Sequence, residues 1–402
     1  MKKDKIKDIL LKIAICSAGY GLFSDSVVIP LVTAIMNEYP DVSTFLLNYV
    51  ISGNAIAGLI FGLLTGVLLK YVRKKPLLIF GTIMFVIAGV AGAFSKDLVF
   101  LAWMRTIDSA SDGILTITTA AMIVDLWKSE EEQGFVFGLY NAISGLFGCI
   151  ASMVAGYAAL VSWRSAFWVN SIGILPVILC ILFVPDTAPG MASPEEAPEE
   201  PWEKDLKWRP MRFIGAMIAL NVMQTISYAM AMLMDVFVAE QNIGNSVVTG
   251  NMSIVVLVVS TVANLIAGSV LARTRKKHMF AFLCSVLLAT GAFLYAVCNS
   301  VFILAVANGI NVLSQCFALI YFEIYTVRSV PRKQRTICLS IMTQTTYVDA
   351  VLCTYVPDMT RALFGTETLA QCFGVCGVCM VFFCMMYLFF AIRGKVPENA
   401  YA

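Results

Sequence analysis

Charge is scarce in this chain. Of its 402 residues only 13% are Asp, Glu, Lys or Arg, about half the share of a soluble domain. Lys and Arg (28) nearly balance Asp and Glu (26), leaving a net charge of +2. That excludes the basic surface needed for bulk nucleic-acid binding. Histidine is scarcer still, with His278 alone in the sequence. No H-E-x-x-H, no G-x-S-x-G and no G-x-x-x-x-G-K-[ST] occurs, so a zinc hydrolase, a serine hydrolase and a nucleotide-driven pump all lack their chemistry. An enzyme is not expected, and neither a metal nor a cofactor is. The twelve cysteines all lie in apolar stretches. "CFGVCGVC" (372–379) contains a C-x-x-C, but without clustered loop ligands these thiols read as packing groups.

Apolar residues make up 59% of the chain and come in long runs. About 20 residues at 1.5 Å rise cross the hydrocarbon of a bilayer as a helix, the form that satisfies its own backbone in lipid. Twelve runs qualify: 9–36, 44–69, 76–94, 98–124, 135–160, 165–184, 211–238, 247–271, 279–298, 301–327, 336–357 and 368–392. The first resembles a signal peptide but is too long and lacks a cleavage site, so it is read as a retained helix. The expected fold is all-α, with two six-helix bundles, 1–184 and 211–402. Between them, 185–210 is a Pro- and Glu-rich linker with too little apolar surface to fold alone.

Lys and Arg mark the topology. With the N-terminus inside, 24 of the 28 fall in cytoplasmic segments, which predicts both termini on the cytoplasmic side. "GVLLKYVRKKP" (66–76) and "GSVLARTRKKH" (268–278) place basic turns in equivalent loops of the two halves. Halves of the same in-out sense are parallel repeats related by an axis along the membrane normal.

On these residues the chain resembles the major facilitator superfamily of secondary transporters. That family carries a G-x-L-A-D-R-x-G-R-R type loop after helix two. Gly66, Leu68, Lys74, Lys75 and Leu78 match it, while Lys70, Tyr71 and Arg73 replace the Asp, the Arg and the Gly. Gly66, Arg73, Lys74 and Lys75 are therefore expected to form the gating loop. "WRSAFWVN" (163–170) looks like a W-R-x-x-F-x-x-N stretch, and Arg105 looks like the helix-four arginine. Asp25 with Pro30 loosely resembles the helix-one motif of drug:proton antiporters. The antiporter G-P-x-x-G-G motif has no full counterpart, since "ASMVAG" (151–156) lacks the Pro and one Gly.

A charge at mid-membrane costs about 2.5–3.5 kcal/mol on insertion scales, so each one present asks for a cavity or a partner. "RTIDSASD" sets Arg105, Asp108 and Asp112 on one helix face. Such a cluster either binds an anion and relays a proton, or braces helices as a satisfied ion pair. Asp25 and Asp349 join the two carboxylates as candidate proton carriers. The resemblance implies that helices one, four, seven and ten line a central cavity. Helix seven offers Asn221, Gln224 and Tyr228, and helix ten offers Asn308, Asn311 and Gln315, each set spaced i, i+3, i+7. Gln344 and Tyr347 join Asp349 in the most polar helix. With Arg105 these are the substrate-binding candidates, although Asn and Gln equally grip helix against helix. In helix two, Gly58, Gly62 and Gly66 form a ridge suited to close packing.

The expected function is alternating-access movement of a small organic solute across a bacterial cytoplasmic membrane by a monomer in the lipid bilayer. The primary expectation is proton-coupled efflux (an antiporter). Proton-coupled uptake of an organic anion held by Arg105 (a symporter) and a non-transporting membrane sensor are the alternatives.

Overall fold

The computed structural model describes residues 2–19, 24–127, 129–187, 210–273 and 277–393. The linker stretch 188–209, Lys128, and Arg275 and Lys276 of the second basic turn lie outside the described residues. Every regular element described is helical, and the chain divides into two compact units. One comprises residues 1–196 with 245–253, the other 197–244 with 254–402.

The first unit runs α1 (Lys2–Ser17), α2 (Ser24–Val28), α3 (Val32–Glu38), α4 (Thr44–Asn48), α5 (Ala55–Leu68), α6 (Lys74–Ala91), α7 (Leu98–Leu126), α8 (Glu130–Ala158), α9 (Trp163–Ala166) and α10 (Ile174–Phe183). The second runs α11 (Pro210–Met232), α12 (Met234–Glu240), α13 (Ser246–Arg273), α14 (Lys277–Ala296), α15 (Val301–Ser329), α16 (Arg332–Cys353), α17 (Val356–Phe364) and α18 (Leu369–Arg393). The first residues of α13 group with the first unit. Short polar residues start the long helices. Asp97 Oδ1 accepts from Phe100 N at 2.7 Å, Ser129 Oγ from Glu132 N at 3.2 Å and Ser300 Oγ from Ile303 N at 3.4 Å. Each satisfies an amide that the helix itself leaves open.

Among the described residues nine helices are long and apolar enough to cross a membrane, ten if Thr44–Gly53 and Ala55–Leu68, bent by 45°, count as one span. The other two expected spans differ for identifiable reasons. The 9–36 run is not one helix: α1 ends at Ser17, α2 starts at Ser24, and Pro30 sits in a 3-10 turn, Ile29–Leu31, between α2 and α3. The 336–357 run is α16, unbroken to Cys353 but rich in Thr and Gln.

Packing in the first unit depends on missing side chains. A Cβ on Gly113 of α7 would lie 2.2 Å from the Gly58 carbonyl oxygen and 2.9 Å from the Gly62 nitrogen of α5. Only glycine permits that backbone contact. The opposite face of α5, with Leu63, Leu64 and Val67, is exposed as a lipid-facing stripe should be. Gly66 continues the ridge in sequence but has open space around it. In the second unit an aromatic triangle of Phe237, Tyr295 and Phe373, with centroids 5.3–5.8 Å apart, forms part of the core. All twelve cysteines are free, and ten are buried.

Candidate functional site

Two intramembrane carboxylates of the first unit meet at Arg105. Its side chain is 2% exposed. One guanidinium nitrogen, Nη1, donates to Asp108 Oδ2 at 3.0 Å, one turn along α7. The other, Nη2, donates to Asp25 of α2 in a close ion pair. Nε donates to the Val50 carbonyl at 3.3 Å. Asp108 is nearly sealed, whereas a third of the Asp25 side chain is accessible. A planar fork of five N–H donors serves such a set of acceptors where an ammonium does not. Asp112, one turn further along α7, lies within the electrostatic reach of the buried Tyr140 hydroxyl of α8.

Val50 is available because the helix is irregular there. Tyr49–Gly53 forms a π-helical turn between α4 and α5, and such a turn releases backbone carbonyls from the regular ladder. Asn54 Nδ2 covers two of them, Val50 at 3.1 Å and Tyr49 at 3.3 Å. Tyr49 Oη bonds Thr106 Oγ1 at 2.8 Å, tying the turn to the helix that carries Arg105.

The gating-loop candidates have partners inside their own unit. Arg73 Nη1 bonds Asp186 at 2.6 Å, Lys74 is closely paired with Asp125 at the end of α7, and Lys75 Nζ donates to the Ile181 carbonyl at 3.0 Å. Lys74 is 1% exposed, so it is an internal strut, whereas Arg73 is mostly in solvent.

At the other end of the first unit, the "WRSAFWVN" stretch is also placed. Arg164 donates to both carboxylate oxygens of Glu38, at 2.9 and 2.6 Å, to Tyr39 Oη at 3.0 Å and to the Ser95 carbonyl at 2.5 Å. Its guanidinium lies over the Trp163 ring at 4.2 Å, and Trp163 Nε1 also donates to Glu38. These hydrogen bonds hold the Glu38 carboxyl below its ordinary value. Phe167 and Asn170 fill the space left by Gly92, just past the end of α6, and Gly89 of α6, where an added Cβ would lie 2.6 and 2.8 Å from them.

The second unit is arranged differently. Asp349 of α16 is buried, and its Oδ1 accepts from Thr225 of α11 at 3.0 Å. Asn311 of α15 and Ser227 of α11 exchange two bonds, of 2.8 and 3.2 Å, so Asn311 joins helix to helix. Asn221 Nδ2 turns back to the Met217 carbonyl of its own helix at 2.7 Å. Asn308 and Gln224 are buried, while Tyr228, Gln315, Gln344 and Tyr347 are half-buried.

The structure thus joins Asp25, Arg105 and Asp108, while Asp112 lies a turn further on. It also adds partners that sequence reasoning does not single out: Val50, Asn54, Asp125, Asp186, Glu38 and Thr225. Asn54, a lone amide in an apolar run, and Asp125, a carboxylate ending a membrane helix, are visible signals of this kind.

Residues 14–348 match the profile of the Major Facilitator Superfamily, and the chain belongs to that family. It is a multi-span membrane transporter, of a family whose members bind small-molecule substrates, and not an enzyme. The fold is similar to that of a bacterial homolog of the human lysosomal transporter Spinster, with a TM-score of 0.73, 13% identity, and 98% of this chain and 97% of that one covered. A POT family transporter solved with a thioalcohol-conjugated peptide gives a TM-score of 0.75 at 10% identity, covering 96% of each chain. The xylose transporter XylE from E. coli gives 0.71 at 13% identity over 98% of each. By sequence, the MFS-type efflux pump MMF1 of Pseudozyma antarctica (strain T-34) is 25% identical over 132 residues. That match covers 33% of this chain and only 23% of the fungal protein.

Proposed function

We propose that the chain exports a small organic solute across a bacterial cytoplasmic membrane by alternating access, driven by inward movement of protons. The Asp25–Arg105–Asp108 cluster carries this reading. Two carboxylates share one permanent cation in a buried setting, so one negative charge is left over. Binding of a proton neutralises the cluster, and its release restores the charge. Asp25 is the more accessible of the two and is the natural point of exchange, with Asp112 one turn beyond Asp108 on α7. The partial sequence likeness to an efflux pump supports the outward direction. The Lys and Arg distribution supports cytoplasmic termini, and no feature requires more than a monomer.

Uptake of an organic anion on Arg105 is the weaker reading, because the guanidinium already serves Asp25, Asp108 and Val50. An anion would have to displace one of them.

The experiment is flux in proteoliposomes under an imposed pH gradient, in both directions, with a panel of labelled solutes. Export should follow the gradient in wild-type protein, and gradient-driven flux should be lost in Asp25→Asn. Flux indifferent to the gradient, or fully coupled flux in Asp25→Asn and Asp112→Asn proteins, defeats the proposal.

A further inference from the structure

The sequence groups Asp349 with the proton carriers, but its surroundings differ from those of Asp25 and Asp108. In the first unit each carboxylate bonded to Arg105 has a cation beside it. Asp349 has none among the described residues: its hydrogen-bond partner is the neutral Thr225 hydroxyl, and no charged side chain contributes to its field. The residue is 1% exposed, and Oδ2 is buried with no hydrogen-bond partner. A buried carboxylate left in that condition is costly.

A bound proton would not complete the site. It would give Oδ2 a single hydroxyl donor, to be shared among the unpartnered buried acceptors of α11 and α16. One turn before Thr225 on the same face of α11 stands Asn221. Its amide nitrogen is committed to the Met217 carbonyl, which leaves Oδ1 buried and unpartnered. Helices α11 and α16 pack directly against each other. Among the described residues the orphan atoms on these helices, Asp349 Oδ2, Asn221 Oδ1 and Gln344 Oε1, are therefore all acceptors, and one of them belongs to a carboxyl. N–H donors carried on a positive charge are what they lack. An alkylammonium group brings both in one small head, with up to three donors.

We propose that Asp349, oriented by Thr225 and joined by Asn221, forms a recognition site in the second unit for the protonated amine of a cationic solute. The inference rests on the transport reading above and names the class of solute moved. It also separates the labour: Asp25 and Asp108 handle protons beside a fixed cation, while Asp349 reads the charge of the cargo.

The test uses the full chain purified in detergent and two matched sets of probes. Each set keeps one hydrophobic body and varies the head: 4-phenylbutylamine, 4-phenylbutanol and 4-phenylbutyrate, with the naphthyl series as the second set. Binding is read as thermal stabilisation over a concentration series reaching millimolar. The amines should stabilise the wild-type protein and the alcohols and acids should not. Asp349→Asn should weaken amine binding roughly ten- to hundredfold, the worth of a charge-assisted hydrogen bond. Asp358→Asn, the same change at an exposed carboxylate of the same unit, should leave the response intact. Size-exclusion elution reports folding. If Asp349→Asn does not fold, Asn221→Leu decides, and should cost the amines several-fold in affinity. Equal binding of amine and alcohol, no response to any amine, or an unchanged response in the deciding variant overturns the site. The coupling proposal fails separately. Gradient-driven flux of an acid or alcohol, unaffected by Asp349→Asn, removes the amine site and leaves coupling standing. Amine binding lost in Asp349→Asn, with flux blind to pH, does the reverse.

Discussion

Arg105 donates from Nε to the backbone carbonyl of Val50, 3.3 Å away, and Asn54 Nδ2 donates to that same carbonyl at 3.1 Å. A side chain of one helix and an amide of another thus stabilise a π-helical turn, and that turn in turn orients the guanidinium towards Asp25 and Asp108. Removing the arginine leaves two carboxylates in a poorly solvated place. Arg105→Met should destabilise the protein by about 3–5 kcal/mol, the usual cost of an orphaned buried partner. Combining it with Asp108→Asn should restore part of that loss. Thermal unfolding of the single and double variants in detergent, analysed as a double-mutant cycle, measures the coupling. Arg105→Lys keeps the charge but not the planar fork, and should fold while losing gradient-driven flux.

The contact of Gly113 with α5 makes a sharper steric test. A methyl group at Gly113 would lie 2.2 Å from the Gly58 oxygen, so the two helices must separate. Gly113→Ala should cost about 1–3 kcal/mol through overpacking. Gly66→Ala, at the third position of the same sequence ridge, meets nothing within 4 Å and should be neutral or slightly stabilising. Unfolding midpoints of the two variants give opposite answers if the packing is as described.

The basic turn separates a buried ion pair from an exposed one. Lys74 and Asp125 are 1% and 15% exposed, Arg73 and Asp186 are 65% and 43% exposed. Lys74→Met strands Asp125 and should cost several kcal/mol, towards the low end of about 3–5 kcal/mol because Asp125 keeps some solvent. Arg73→Ala should cost no more than about 1 kcal/mol, and less at high salt. Chemical or thermal unfolding at two salt concentrations tests both statements.

These outcomes show which features the sequence made legible. Apolar runs located the helices closely, because lipid imposes one length and one backbone solution on every span. The ends of α7, α15 and α18 fall within two residues of their expected positions. Helix one was legible as a run but not as separate pieces: Pro30 marks the 3-10 turn between α2 and α3, while the earlier division, after Ser17, has no such marker. For the charges, spacing along one helix placed Arg105 and Asp108 together, since i and i+3 are neighbours by geometry alone. Partners on other helices were not legible in the same way. Asp125 for Lys74, Thr225 for Asp349 and Glu38 for Arg164 lie 51, 124 and 126 residues apart. Such distances are closed by tertiary packing, which a single sequence leaves open. The π-helical turn at Tyr49–Gly53 carries no residue pattern that would separate it from an ordinary helix.

The Glu38–Arg164 cluster ties α3 to the α8–α9 turn and predicts acid sensitivity at that end of the first unit. Bonds from Arg164 and Trp163 favour the charged carboxyl, so the Glu38 pKa is lower folded than unfolded. An unfolded Glu titrates near 4.3. For a depressed carboxyl the folded state holds fewer protons than the unfolded state wherever the two differ. Its stabilising contribution is then complete above the unfolded value and is lost as pH falls through the folded one. Glu38 is 40% exposed in its side chain, so solvent screens the effect and the amplitude should be modest. Wild-type protein should unfold at a higher temperature than Glu38→Gln at neutral pH, and the gap should narrow below about pH 4. Melting curves of both proteins from pH 7 down to pH 3 measure this. A gap that stays constant, or widens in acid, would mean that Glu38 acts through shape alone and not through its charge.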